Sequence, residues 1–255
     1  AIVLYSSGTT GKSKGIRLSH FAINTNADAI IDYMKPGKED CIYIAKTLSH
    51  SSTLVGELLV ALKSGSKLVI APVVVTPRYV LNNIKKYSVS VICLNPTLLL
   101  MYAEAYSCGN YDLKSLKAIY VSGAILSNRV YSFAKKTFKD IAIYNVYGLS
   151  EAGPRVTAQT GDSCNNNSAG KPIKHVEISI IGEDGRELPN GECGIIHINT
   201  PCMYDGYVVG KSKLNSLYKG WLNSGDIGYI DESGDLYIID RSDDIIIIDA
   251  QNISE

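Results

Sequence analysis

Through the first 150 residues, apolar positions switch repeatedly between a strand period and a helix period. The run "AIVLY" reads as a buried strand. Ser19 stands as an N-cap before "HFAINTNADAIIDYM", whose apolar positions recur at helical spacing. "CIYIAKTL" alternates as a strand, and "STLVGELLVALKSG" is a helix opened by a serine and closed by Gly65. The alternation continues with "KLVIAP" as a strand, "PRYVLNNIKKYS" as a helix and "VSVICLN" as a strand. "PTLLLMYAEAY" then reads as a helix, "LKAIYVSG" as a strand, "SNRVYSFAKKTF" as a helix and "IAIYNVYG" as a strand. Strands and helices in turn predict a mainly parallel sheet flanked by helices. From about Val176 the texture changes to short strands separated by hairpin punctuation such as "GEDG" and "ESGD", which predicts a small antiparallel β subdomain. The expected fold class is therefore α/β, with an α/β subdomain over 1–164 and an antiparallel, barrel-like subdomain over 165–240, the loop "NNNSAG" connecting them.

Composition narrows the partners. The 255 residues are 45% hydrophobic and 20% charged, with 25 basic against 25 acidic side chains, so no net field draws the chain to nucleic acid or to a membrane surface. A small-molecule ligand fits better. The longest apolar runs, such as "DDIIIIDA", fall far short of the roughly 20 residues that cross a bilayer, and no signal-peptide pattern is present, so cytoplasmic residence without membrane insertion is expected. Six cysteines without CxxC spacing read as reduced packing residues. The chain opens inside one apolar run and closes directly after another, so both ends are expected to continue in a longer protein.

The candidate chemistry starts at "YSSGTTGKSKGI", Tyr5 to Ile16. Gly11-Lys12-Ser13 supplies the end of a Walker A loop, but Ser6 occupies the place of its first glycine, which weakens a nucleoside-triphosphatase reading. What remains is a strand followed by hydroxyls (Ser7, Thr9, Thr10), backbone amides freed by Gly8 and Gly11, and the lysines Lys12 and Lys14. Amide and hydroxyl donors with lysine charge are suited to a polyphosphate.

Three later stretches join it: "NVYGLSEAG" (Asn145 to Gly153), "GWLNSGDIGYID" (Gly220 to Asp231), where Asp226 is expected in a tight Gly-flanked turn, and "DRSDD" (Asp240 to Asp244). In this order and at these separations the four motifs resemble the adenylate-forming superfamily: acyl- and aryl-CoA ligases, peptide-synthetase adenylation domains and firefly luciferase. The resemblance runs along effectively the whole chain. It implies that Thr9, Thr10, Gly11 and Lys12 hold the β- and γ-phosphates of ATP while Lys14 closes the loop. It also implies that Tyr147, followed by Gly148, lies against adenine, that Asn145 with Gly123 and Ala124 of "VSGAILS" lines the adenine and acyl pockets, and that Ser150 touches the α-phosphate. Glu151 would hold Mg²⁺ together with substrate phosphates. Asp226 would accept from the ribose hydroxyls, and Arg241 would donate to ribose or phosphate. His50, in "TLSHSSTLVGELL", matches a histidine that gates the acyl pocket in CoA ligases, and with Thr53, Gly123, Ala124 and Tyr147 it makes up the expected substrate pocket. Ser51, Ser52 and Thr53 stand where peptide-synthetase domains place an aspartate for the substrate amine, which tilts the substrate away from an α-amino acid.

The implied reaction joins a carboxylate to the α-phosphorus of ATP, with Thr10, Lys12, Glu151 and Arg241 supplying most of the positioning and charge neutralisation. A thiol, from coenzyme A or a carrier-protein phosphopantetheine, then displaces AMP. Residues 241–255 would contain the hinge, at Asp243, and the first residues of a lid domain that lies outside this chain, as does the region preceding the phosphate loop. Ala250 near a usual glycine and Asp240 before Arg241 depart from the family pattern and put the thioester step in doubt. Two function classes follow: the nucleotide-binding part of an AMP-forming acyl- or aryl-CoA ligase, with a peptide-synthetase adenylation domain as its variant, or a non-catalytic nucleotide- or partner-binding module.

Overall fold

The computed structural model describes residues 1–6, 14–72, 75–161, 168–209, 217–218, 220–241, 245–248 and 251–254. Strands β1 (Ile2–Ser6) and β2 (Lys14–Leu18) form an antiparallel hairpin, with Ser6 opposite Lys14. The helix His20–Met34 follows, capped by Ser19, whose Oγ accepts from Ala22 N. Then come β3 (Cys41–Ile44), a long helix, β4 (Lys67–Ile70), the helix Pro77–Tyr87, β5 (Val91–Leu94), the helix Pro96–Ser107, β6 (Ala118–Val121), the helix Asn128–Thr137 and β7 (Ala142–Tyr147). Thr76, Asn95 and Ser127 cap the last three helices with their side chains, and Pro77 and Pro96 stand in first turns, where a missing N–H costs nothing. The strand-helix order read from periodicity is thus the observed one.

These strands form a sheet in the order β4-β3-β5-β6-β7, all parallel, extended by the short antiparallel strands β8 (Thr157–Ala158) and β9 (Lys171–Pro172). Helices His20–Met34 and Ser51–Ser64 cover one face, where Ile23, Ile30, Val55 and Val60 meet Ile42, Val91 and Tyr120. The other three helices cover the opposite face through Val80, Leu81, Ile84, Leu99 and Ala134. Because both faces are covered, β3, β5 and β6 are buried at every position, and the alternation expected of "CIYIAKTL" is absent.

The antiparallel region is also present. Strands β10 (Glu177–Ile181), β11 (Gly194–Asn199), β13 (Leu217–Tyr218), β14 (Trp221–Ile230) and β15 (Leu236–Arg241) make a sheet ordered β10-β11-β14-β13, with β15 also paired to β14. Its Ile180, Ile196, Ile198 and Leu222 share the core of the first helical face. A hairpin of β16 (Ile245–Ile248) and β17 (Gln251–Ser254) follows.

Three expectations are corrected. The opening strand is not a buried strand of the main sheet: among the described residues β1 pairs with β2 alone, which pairs in turn with β12 (Tyr207–Val209), and Val3 and Tyr5 are exposed. The helix of "STLVGELLVALKSG" starts one residue earlier, at Ser51 with His50 as its cap residue, and its middle stretch, Leu54–Leu59, is π-helical between Ser51–Thr53 and Val60–Ser64. Asp226 lies within β14, opposite Arg241, and not in a turn; the positive φ of 76° at Gly225 is absorbed inside the strand.

Candidate functional site

The loops that follow β6 and β7 leave the sheet at the carboxyl ends of parallel strands, the usual ligand edge of α/β folds. A cavity of about 450 Å³ opens there, between that edge and strands β14 and β15 of the antiparallel sheet. Gly123, Ala124, Asn145, Tyr147 and Gly148 line it from the parallel side, and Asp226 and Arg241 from the other. Seven sequence-predicted residues therefore share one wall system. His50 and Thr53 do not line this cavity.

Its centre is a fixed carboxylate. Tyr147 Oη donates to Asp226 Oδ2 at 2.5 Å, and Arg241 Nη1 stands 3.5 Å from Asp226 Oδ1. Ser224 Oγ accepts from the Asp226 amide at 3.0 Å, so backbone and side chain of Asp226 are both held. Burial, reinforced by the Asp226 charge and hydrogen bond, holds the Tyr147 phenol well above its ordinary value, so it stays protonated and keeps donating. Asn145 is set by a buried network: its Nδ2 donates to Ser168 O at 3.0 Å, and its backbone N–H donates to Gln159 Oε1 at 2.8 Å. Gly148 is required by space, since a Cβ there would stand 1.9 Å from the carbonyl oxygen of Pro154.

A second cluster lies just past Gly148, where Ser150–Ala152 makes one 3-10 turn. Ser150 Oγ hydrogen-bonds Ser51 Oγ at 2.7 Å, so the start of the His50-capped helix meets this turn, with His50 itself exposed. Glu151 is buried, its Oε1 accepting from Tyr207 Oη at 2.8 Å. Burial first, then the Glu151 charge, pushes the Tyr207 phenol far up, so it too remains a donor. Tyr207 pairs across β12 with Ile16 of β2, two residues beyond Lys14. The base of the Gly-rich loop is thereby tied to Glu151. Ser7, Gly8, Thr9, Thr10, Gly11, Lys12 and Asp243, the expected hinge, lie outside the described residues, as does the side chain of Lys14.

Among the described residues no group of three or more His, Cys, Asp or Glu side chains could hold a metal ion. Glu151 fits a hard divalent cation only as one carboxylate beside phosphate oxygens and water, as Mg²⁺ ordinarily binds. Sequence reasoning missed Tyr207 and the cavity-lining Tyr237 and Ile238, and it noted Asp240 without placing it in the cavity wall. The last three were accessible from the strand pattern, since they immediately precede Arg241; nothing local marks Tyr207.

The chain matches the family of AMP-binding enzymes over residues 1–208. It is 32% identical over 238 residues to a probable 4-coumarate-CoA ligase 3 of Dictyostelium discoideum, covering 91% of this chain and 43% of that one. To a 4-coumarate-CoA ligase of Vanilla planifolia it is 30% identical over 240 residues, covering 89% and 43%. The chain thus spans less than half the length of these relatives. The structure of o-succinylbenzoate CoA synthetase from Bacillus subtilis in complex with its acyl-adenylate intermediate superimposes with a TM-score of 0.87 at 28% identity, over 99% of this chain and 51% of that one. A long-chain-fatty-acid-CoA ligase from Archaeoglobus fulgidus gives 0.84 at 25% identity, over 94% and 50%. With the family matched over most of its length and the fold shared with acyl- and aryl-CoA ligases, this chain belongs to the AMP-binding, adenylate-forming enzyme family.

Proposed function

We propose that this chain forms the nucleotide-binding part of an AMP-forming ligase that activates a carboxylic acid, in the cytoplasm, as an acyl-adenylate for transfer to a thiol. One observation carries the reading: the Asp226 carboxylate, fixed by Tyr147 and facing Arg241, sits in the wall of a cavity at the carboxyl ends of the parallel strands. A fixed carboxylate of this kind accepts hydrogen bonds from paired ribose hydroxyls, and the Tyr147 ring offers an aromatic face to a base. Gly123 and Ala124 leave the opposite wall free of bulk.

In the reaction a carboxylate oxygen of the acid attacks the α-phosphorus of ATP; the new O–P bond forms as the bond to the bridging oxygen breaks, and pyrophosphate leaves. Two anions must approach, so catalysis rests on in-line positioning and charge neutralisation. When bound, Mg²⁺ supplies charge neutralisation at the phosphates, with Glu151 as its protein carboxylate. Tyr207 holds that carboxylate in one orientation, Ser150 offers a hydroxyl beside it, and Thr9, Thr10, Gly11, Lys12 and Lys14 take the β- and γ-phosphates. The acyl group then passes to coenzyme A or a carrier-protein phosphopantetheine. The relatives named 4-coumarate-CoA ligases make an aryl acid the first substrate class to try.

Carboxylate-dependent exchange of labelled pyrophosphate into ATP by a full-length version of the protein, screened across aryl, fatty and amino acids, tests the reading. Exchange with a non-amino acid is expected. Nucleotide binding without exchange for any acid would turn the protein into a binding module.

A further inference from the structure

Behind the nucleotide cavity lies a buried polar cluster, the chamber referred to below, that the reaction as described does not use. Among the described residues Tyr33 Oη and Arg155 Nε are buried without a hydrogen-bond partner, close to the buried Glu57 carboxylate, which Lys46 and Thr53 engage. Lys46 Nζ makes an ion pair with Glu57 Oε1 at 3.0 Å, with Lys46 nearly buried and Glu57 fully so. Arg155 is 3% exposed, and among the described residues no carboxylate lies within ion-pair distance of it, Glu57 acting on it only from farther off. Lys46 and Glu57 offset one another, which leaves one guanidinium charge uncompensated.

The position of Arg155 is built and specific. Its backbone N–H donates to Asn26 Oδ1 at 3.0 Å and its carbonyl accepts from Asn26 Nδ2 at 2.8 Å, with Asn26 wholly buried. Its Cα stands 3.0 Å from where a Cβ on Gly148 would be, so it lies directly behind a wall of the nucleotide cavity. Its Nη2 reaches to 3.1 Å from the ideal Cβ position of Gly56, in the π-helical stretch, and occupies space that a side chain there would contest. The helix from Ser51 and the segment from Ser150 therefore run side by side, in contact at Ser51–Ser150 and again at Gly56–Arg155. Five residues of helix separate the two contacts, a depth of about 7 Å. The first lies at the expected adenylation site and the second is the chamber.

Burying a guanidinium without a counter-ion costs several kcal/mol, and native folds satisfy nearly all buried polar groups. Such violations concentrate where a ligand completes the arrangement. We propose that the carboxylic acid activated here carries a second anionic group, and that Arg155 binds that group at the inner end of the acid's path. The inference rests on the acid-activating function proposed above and specifies its substrate: an acid with a second carboxylate an aromatic ring or a short alkyl chain away from the reacting one. The Lys46–Glu57 pair keeps the chamber from collapsing into an Arg155–Glu57 pair by engaging the one carboxylate nearby.

Calorimetric titration of the full chain with cinnamate, 4-hydroxycinnamate, 4-carboxycinnamate, hexanoate and adipate, each with and without saturating AMP, tests this. Charge-assisted hydrogen bonds at a buried guanidinium predict that 4-carboxycinnamate and adipate bind about tenfold or more tighter than cinnamate and hexanoate. Arg155→Met should erase the preference and Arg155→Lys should retain part of it, with AMP affinity unchanged in both as the check on folding. Equal or tighter binding of cinnamate or 4-hydroxycinnamate overturns the inference, as does failure of every acid to bind, or a preference that survives in Arg155→Met. Failure of AMP to bind overturns the nucleotide reading instead, while the ranking of acids without AMP still decides this one.

Discussion

Replacing Tyr147 by phenylalanine removes one hydroxyl from the centre of the site and leaves its ring in place. The Asp226 carboxylate, 7% exposed, then loses that donor and keeps the 3.5 Å approach of Arg241, whose side chain is half in solvent. A hydrogen bond to a charged acceptor contributes a net ~1.5–3 kcal/mol, and water entering the cavity recovers part of that. The expected loss is about 1.5 kcal/mol, a fall in Tm of roughly 3–6 °C for a chain of this size. Asp226→Asn should cost a similar amount, because its amide nitrogen can no longer accept from the phenol or pair with Arg241. Urea unfolding of the parent, both single variants and the double variant closes a cycle whose coupling should be about 1–1.5 kcal/mol. A coupling below about 0.3 kcal/mol would refute the reasoning, since it would mean that the Tyr147–Asp226 bond does not hold the carboxylate.

Other consequences follow from individual residues. Gly148→Ala places a methyl 1.9 Å from a backbone oxygen, so the segment carrying Ser150 and Glu151 must shift; a loss of about 2 kcal/mol or more by urea unfolding is expected. Burial pushes the Tyr33 phenol up to about 12, so the folded state holds that proton above the unfolded value of 10.0. The sign is therefore a loss as pH rises, intact below pH 10 and reaching at most about 2.7 kcal/mol by pH 12, and Tyr33→Phe should flatten stability over that window. Lys46→Met strands the buried Glu57 carboxylate, whose proton affinity burial already raises. The variant should lose about 3 kcal/mol at neutral pH in chemical unfolding, and its deficit should shrink as pH falls and Glu57 takes up a proton.

The parts of this molecule that could be read from the chain are those that local chemistry decides. Ser19 announced a helix start, and the alternation of strand and helix periods announced a parallel sheet covered by helices, because caps and periodicity act within a few residues. The placement of β1 was not legible: its sheet is completed by β12, some 200 residues downstream, and only that pairing separates it from the main sheet. Asp226 read as a turn residue because glycines flank it, whereas the strand absorbs Gly225 and the register shift beside Gly228. Motif order brought Asn145, Tyr147, Asp226 and Arg241 to attention, and the cavity brings them together. The Tyr207–Glu151 and Ser51–Ser150 bonds, and the Gly56–Arg155 contact, join residues 56 to 99 positions apart and have no local signature.

The most direct test of the account is the affinity of the chain for AMP, which needs no acid, thiol or lid. Calorimetry should give saturable one-to-one binding in the cavity beside Tyr147, weakened about tenfold or more by Asp226→Ala and unchanged by a substitution on the far helical face such as Tyr79→Ala. Absent binding, or binding indifferent to Asp226→Ala, would contradict the assignment of this cavity to the nucleotide.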